Sequence, residues 1–98
     1  MQIIYRVVIL KEAYIDISNI YLYIQFKLLN PIASQNFLYN IKSKINNLKI
    51  FPYIGKIYKN RKERFVIHKK FLIFYEIQEE NKLVIIKSVI HKNINKDK

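Results

Sequence analysis

Four side chains late in the chain have the chemistry of a site that handles charge: Arg64, His68, Lys87 and His91. Imidazoles exchange protons near neutral pH, and guanidinium and ammonium groups hold negative charge. All four fall within residues 64–91, RFVIHKKFLIFYEIQEENKLVIIKSVIH, which reads as consecutive antiparallel strands. Residues two apart on a strand share a face, so Arg64, Val66 and His68 point one way and Phe65 and Ile67 the other. On the last strand Val84, Ser88 and Ile90 fall on one face, Lys87 and His91 on its opposite. If the faces match across the sheet, Arg64, His68, Lys87 and His91 form one polar, basic surface and helices cover the other side. One bulge would reverse that match.

Each of these residues has an ordinary alternative. Arg64 could pair with Glu76 or Glu63, His68 could border the Lys69-Lys70 turn, and His91 could be an exposed strand end or a loop cap. Tyr75 is expected in the core with its hydroxyl bonded at the rim. Lys56, Lys59, Arg61 and Lys62 are either a solvated loop or a patch that steers phosphate. Two histidines without cysteine or clustered carboxylates give no metal site, and nothing calls for a cofactor.

The elements that must position these groups follow in order. Gln2 to Leu10, QIIYRVVIL, is a strand by its content of Ile, Val and Tyr. From Glu12 to Leu29, Ala13, Ile17, Ile20, Ile24 and Leu28 recur at steps of three and four, one stripe of an amphipathic helix that Tyr14 and Tyr21 widen. Pro31 disfavours helical geometry at Asn30, which ends that helix; Asn30 then caps the next, with proline at its first position. Ala33, Phe37, Ile41, Ile45 and Leu48 form the second stripe, so the two helices pack as a hairpin. Phe51-Pro52-Tyr53-Ile54-Gly55 ends the helical run, and the only glycine is expected to supply a positive φ there. Lys56 to Lys62 reads as a basic loop. Strands follow at Arg64 to His68, Phe71 to Ile77 and Leu83 to Ile90, the last two joined across Gln78 to Lys82. The fold class is therefore α+β, in the order β-α-α-β-β-β, with the helical hairpin on one face of a small, twisted, mainly antiparallel sheet.

Ninety-eight residues suit one domain with one modest core, taken as residues 1–92, followed by a polar and loose tail, NINKDK, at 93–98. The 51% hydrophobic content argues against disorder. The absence of cysteine excludes disulfides and fits a reducing compartment. No run reaches the roughly 20 apolar residues of a membrane span, and the first residues lack the pattern of a signal peptide, so the expected location is the cytoplasm. The net charge is +11. Codon bias toward Ile, Lys and Asn is the plain alternative account of it, but the charge is clustered. Residues 56–70 hold seven Lys or Arg against Glu63 alone, the footprint of a surface that meets a polyanion or an acidic partner.

Read together, Ala13 with Asp16-Ile17, Ile20 and Tyr23-Ile24, then Asn30-Pro31, Ala33 and Phe37, then Ile45, Leu48, Phe51-Pro52 and Gly55, then Arg64, Phe71, Ile73 and Tyr75, and last Val84, Ile86, Ile90 and His91, resemble the RelE/ParE superfamily. These are the toxins of type II toxin–antitoxin pairs, and the resemblance runs from about Tyr5 to Lys92. It implies a growth-inhibiting toxin neutralised by a cognate acidic antitoxin in a hetero-oligomer, with Tyr23, Phe26 and Tyr39 as the candidate antitoxin contacts or else the outer edge of the core.

The resemblance leaves two targets open. RelE-like members cleave messenger RNA on the ribosome, which needs proton transfer and fixed positive charge at the phosphate. ParE-like members poison DNA gyrase without being hydrolases. The ribonuclease branch carries an arginine early in the strand that ends on its tyrosine; here the run is Phe71-Leu72-Ile73-Phe74-Tyr75, with Leu72 at that place. The chain therefore looks nearer the ParE-like branch, with the ribonuclease, a non-toxic nucleic-acid-binding module and an inactive antitoxin-binding relative as alternatives. Target contacts are expected at Arg61, Lys62, Arg64, His68, Lys87, His91 and Lys92, with Arg64 and His91 as the catalytic candidates if there is catalysis.

Overall fold

A computed structural model describes residues 2–92. The polar tail expected at 93–98 lies outside the described residues. The order is β1 (Arg6–Ile9), α1 (Lys11–Leu22), a π-helical turn (Tyr23–Lys27), α2 (Pro31–Asn47), a 3-10 turn (Pro52–Ile54), β2 (Lys56–Ile57), β3 (Glu63–His68), β4 (Phe71–Gln78) and β5 (Leu83–His91). The strands form one sheet in the order β1-β5-β4-β3-β2. β1 runs parallel to β5 and the other pairs are antiparallel.

The expected α+β layering holds, with two corrections at the sheet's edges. The first strand is shorter than Gln2 to Leu10, because only Arg6–Ile9 finds a partner, and Ile3 and Ile4 lie exposed before it. The basic loop is partly strand: Lys56 and Ile57 pair with Phe65 and Arg64. Two residues have no periodicity to read, so β2 is set by its partner rather than by its own sequence.

The helical hairpin forms as the spacing predicts. The Asn30 side chain accepts the Ala33 N–H at 3.1 Å and Pro31 opens α2, as the local chemistry of a helix start requires. α1 does not stop cleanly but widens into the π turn, where the Leu28 N–H bonds the Tyr23 carbonyl at 3.1 Å, and Leu29 then takes a φ of 52°. This widening places Gln25 against α2. Its Oε1 accepts a bond from the Ser34 hydroxyl at 3.0 Å, and that hydroxyl also lies 2.8 Å from the Pro31 carbonyl. Ser34 is thereby buried and polar-satisfied at the position next to Ala33, which had been expected on the stripe.

Both helices pack on one face of the sheet. Ala13, Phe37, Ile41, Ile45 and Leu48 meet Ile73, Tyr75, Ile77, Val84, Ile86 and Val89 in a single core. The Asp16 carboxylate reaches across from α1 to accept the Val89 N–H at 2.9 Å, beyond the point where β1 stops pairing with β5. A bulge in β5 decides what else joins this face. Phe74 is opposite Ser88 and Tyr75 is opposite Ile86, so Lys87 has no counterpart on β4. Past it the alternation changes phase: Val89 and His91 turn toward the helices, and Ser88 and Ile90 turn away.

Candidate functional site

The register places Arg64 opposite Tyr75, and His68, Phe71 and His91 in one row across three strands. Arg64, His68 and His91 therefore share a face, but it is the face on which the helices pack. The expectation that helices would cover the opposite side is overturned. Lys87 does not join them: next to the core-facing Ile86 it lies on the other face, toward Glu76, with 3.6 Å between Nζ and Oε1. Arg64 and His68 are also four residues apart along β3, about 13 Å of extended chain, so the imidazoles and the guanidinium do not converge on one reacting atom.

Arg64 is 8% exposed and is held by the backbone. Its Nε donates to the Arg61 carbonyl at 2.8 Å, and Nη1 donates to the carbonyls of Tyr53 and Gly55 at 3.0 and 2.9 Å. Its guanidinium lies 5.0 Å from the centre of the Tyr53 ring. The described ion pairs do not include the alternative, a bridge to Glu76 or Glu63. Tyr75 closes on the same turn from the next strand: its hydroxyl donates to the Pro52 carbonyl at 2.6 Å and accepts the Gly55 N–H at 3.0 Å. Burial raises the Tyr75 pKa, while the Gly55 bond and Arg64 oppose the rise.

Gly55 corrects a further expectation. Its φ is −72°, so it is not there for a left-handed turn. A Cβ at this position would collide with the Tyr75 hydroxyl and stand 2.7 Å from the Phe65 carbonyl oxygen. Close approach, not backbone freedom, makes it glycine.

Tyr53 links this turn to a polar cluster that the sequence did not reveal. Its hydroxyl donates to Glu79 at 2.6 Å, and Tyr5 donates to the same carboxylate at 2.8 Å. Lys82 forms an ion pair with Glu79 from the other side. Lys82, Tyr53 and Tyr5 together hold the Glu79 carboxyl at about 2, and the Glu79 bond pushes Tyr53 up to about 12. No local signal marks this cluster, because its members come from the N-terminal segment, the 52–54 turn and the β4–β5 connection.

At the other end of the sheet the histidines face a basic surround. Burial, then Lys69 and Lys44, lower the His68 pKa; burial, then Lys70, lower that of His91. His91 packs edge-on to Phe71, with ring centres 5.0 Å apart. It also lines an apolar cup of about 290 Å³ with Ile20, Tyr23, Ile24, Ala33 and Phe71, whose rim carries Lys69 and Lys70. Of the expected antitoxin contacts, Tyr23 lines this cup, while Phe26 and Tyr39 stand exposed outside it. Of the expected target contacts, Arg61, Lys62 and Lys92 are exposed.

The uncovered face differs from the basic surface anticipated. It carries Phe65, Ile67, Leu72, Phe74, Ile85 and Ile90 with the polar Ser88, and its charges are mixed: Lys56 and Lys87 with Glu63 and Glu76. Tyr58 folds onto Phe74, with ring centres 4.9 Å apart. Among the described residues no group of three or more acidic or histidine side chains is placed to hold a metal, and no helix is long and apolar enough to cross a membrane.

A helical hairpin on one face of a five-stranded mixed sheet is the architecture of RelE/ParE-like toxins. The chain belongs to the ParE toxin family of type II toxin–antitoxin systems, matching it over residues 7–95. In fold it is similar to the chromosomal ParDE toxin–antitoxin system of P. aeruginosa, at 14% identity and a TM-score of 0.75, over 90% of this chain and 96% of that one. It is also similar to the toxin–antitoxin complex RelBE2 of Mycobacterium tuberculosis, at 15% identity and a TM-score of 0.65, over 93% and 94% of the two chains. No curated sequence matches it significantly.

Proposed function

We propose that this toxin arrests growth without cleaving RNA, acting in the ParE manner on DNA gyrase and so on replication, and that an acidic antitoxin holds it inactive. The family match over residues 7–95 supports the toxin reading. One geometric observation supports the non-hydrolytic branch: both imidazoles and the Arg64 guanidinium are on the helix-covered face, and the guanidinium is engaged by three backbone carbonyls. Leu72, at the place where the ribonuclease branch carries arginine, lies beside Ile67 and Ile90 on the uncovered face and can neither move a proton nor hold a phosphate. The exposed cations for target contact are then Arg61, Lys62 and Lys92.

The antitoxin is an acidic, amphipathic segment in this reading. The cup lined by Tyr23, Ile24 and Phe71 takes an apolar side chain, and Lys69 and Lys70 on its rim take carboxylates. The complex is a hetero-oligomer. Induced expression tests the target: accumulated DNA damage and altered supercoiling, with transcripts intact and translation continuing in the first minutes, support the proposal. Early codon-specific transcript cleavage with unaltered supercoiling would replace it with the ribonuclease.

A further inference from the structure

The basic turn between β2 and β3 is exposed from Tyr58 to Lys62, yet its backbone is closely tied. The Tyr58 N–H bonds the Glu63 carbonyl at 2.8 Å, and the Asn60 side-chain oxygen accepts the N–H groups of Lys62 and Glu63 at 2.9 and 3.0 Å. From β3, the Arg64 Nε holds the Arg61 carbonyl at 2.8 Å. These bonds fix where each backbone atom of the turn stands. They do not fix where a long cationic side chain points.

For Arg61 the Tyr53 ring does that. The Arg61 guanidinium lies 5.9 Å from the ring centre, and that of Arg64 5.0 Å. The ring is 39% exposed and is anchored at its far end rather than by burial: its hydroxyl donates to Glu79 at 2.6 Å, and Glu79 is itself held by Tyr5 and Lys82. An exposed cation–π contact adds little to stability, so the arrangement is better accounted for by the order it imposes than by its strength. An arginine that meets a partner must give up rotamer freedom, and one already held on a ring gives up less.

We infer that Tyr53 is a positioning residue for the target contact: its ring, anchored on Glu79, holds the Arg61 guanidinium where the target meets the toxin. The inference rests on the reading of Arg61 and Lys62 as target contacts, and it is the same whether that target is gyrase or the ribosome.

Two measurements on the full chain test it. The first is the side-chain Nε–Hε signal of Arg61 in isotope-labelled protein, assigned by its loss in Arg61→Lys. In the native chain the Tyr53 ring current should displace it upfield, and in Tyr53→Leu it should return to the value of a free arginine. Tyr53→Phe, which keeps the ring and loses the Glu79 bond, should fall between the two and keeps the test open if Tyr53→Leu fails to fold. The second is growth arrest, read as the amount of soluble folded toxin that halves the growth rate. Tyr53→Leu should need about two- to fivefold more, the worth of an exposed cation–π contact, with Tyr53→Phe again between. Tyr53→Leu with Arg61→Ala should need no more than Arg61→Ala alone, since a ring that acts through Arg61 then has nothing to position. A merely structural tyrosine would add its own loss to that of Arg61→Ala. An undisplaced Arg61 signal in the native chain, or additive losses in the double variant, would overturn the inference and leave the toxin standing. Arg61→Ala as potent as the native chain would overturn Arg61 as a target contact. A native chain that arrests nothing would overturn the toxin reading itself, and the Arg61 signal would then decide alone whether the ring holds the guanidinium.

Discussion

Arg64 and Tyr75 are direct partners across the β3–β4 ladder, and both side chains close on the same turn: Arg64 binds the Tyr53 and Gly55 carbonyls, and Tyr75 binds the Pro52 carbonyl and the Gly55 N–H. The turn after α2 is thus fixed to the sheet by two side chains that arrive from neighbouring strands. Arg64, a catalytic candidate in the sequence, is tied to three backbone carbonyls, so its loss is expected to act on stability.

Arg64→Ala removes a charged donor from three carbonyls, which at about 1.5–3 kcal/mol for a bond to a charged group should destabilise the fold by about 3 kcal/mol. For a chain of this size that is a fall in melting temperature on the order of 15 °C. Growth arrest should weaken in step with the amount of folded toxin. Arg61→Ala with Lys62→Ala changes exposed residues, so its melting temperature should move little while growth arrest falls. Thermal unfolding and growth curves on both variants separate the two roles. An Arg64→Ala protein of normal stability and no activity would return Arg64 to the target surface.

Gly55→Ala should be disruptive for a steric reason alone, since its φ of −72° suits alanine. The new Cβ meets the Tyr75 hydroxyl and the Phe65 carbonyl, and a loss of about 2–4 kcal/mol is expected, in the range of overpacking compounded by a lost hydrogen bond. Tyr75→Phe alone should lose about 1–3 kcal/mol, because the Pro52 carbonyl and Gly55 N–H then lack their partner. The pair should couple: in the double variant the hydroxyl clash is gone, so the combined loss in denaturant unfolding should be less than the sum of the two. Strict additivity would mean that the Phe65 carbonyl alone carries the clash.

What could be read in advance divides along the range of the interaction. Asn30-Pro31 announced the helix junction correctly because capping is a matter of adjacent residues. Phe71 to Ile77 announced the central strand through its own composition. The two-residue β2, the reason for Gly55 and the Tyr5–Tyr53–Glu79 cluster were hidden, because each depends on a partner many residues away. The bulge at Lys87 mattered most. One unpaired residue in an otherwise regular Val and Ile run exchanged Ser88 and Ile90 for Val89 and His91 on the core side, and so parted His91 from Lys87. The aromatic contacts of the uncovered face were half legible: Phe65 and Phe74 alternate as expected, but only the pairing of the β2 edge with β3 shows that Tyr58 meets Phe74.

The cup beside the hairpin makes a prediction about the partner. Lys69→Glu with Lys70→Glu reverses the charge of its rim without touching the apolar wall. Association with the proposed acidic antitoxin should slow about tenfold at low salt and much less at high salt, because steering by surface charge is screened. Tyr23→Ala should instead raise the dissociation rate, having removed apolar contact. Binding kinetics measured at two salt concentrations check both. Association equal to that of the native pair at low salt for the charge-reversed variant would place the antitoxin elsewhere.

Acid should loosen the end of the sheet that carries the histidines. His68 and His91 both have folded-state pKa values below the ordinary 6.5, because burial and the ammonium groups of Lys69, Lys44 and Lys70 oppose a further positive charge. Between the depressed folded values and 6.5 the unfolded chain binds more protons than the fold, so stability rises with pH through that window. The contribution is fully present above about 6.5 and is lost as pH falls through the folded pKa values. Denaturant unfolding at steps from pH 7.5 to 5 should show a decline that begins just below 6.5. His68→Asn with His91→Asn, which cannot titrate, should flatten it. A decline unchanged in the double variant would assign the acid sensitivity to other groups.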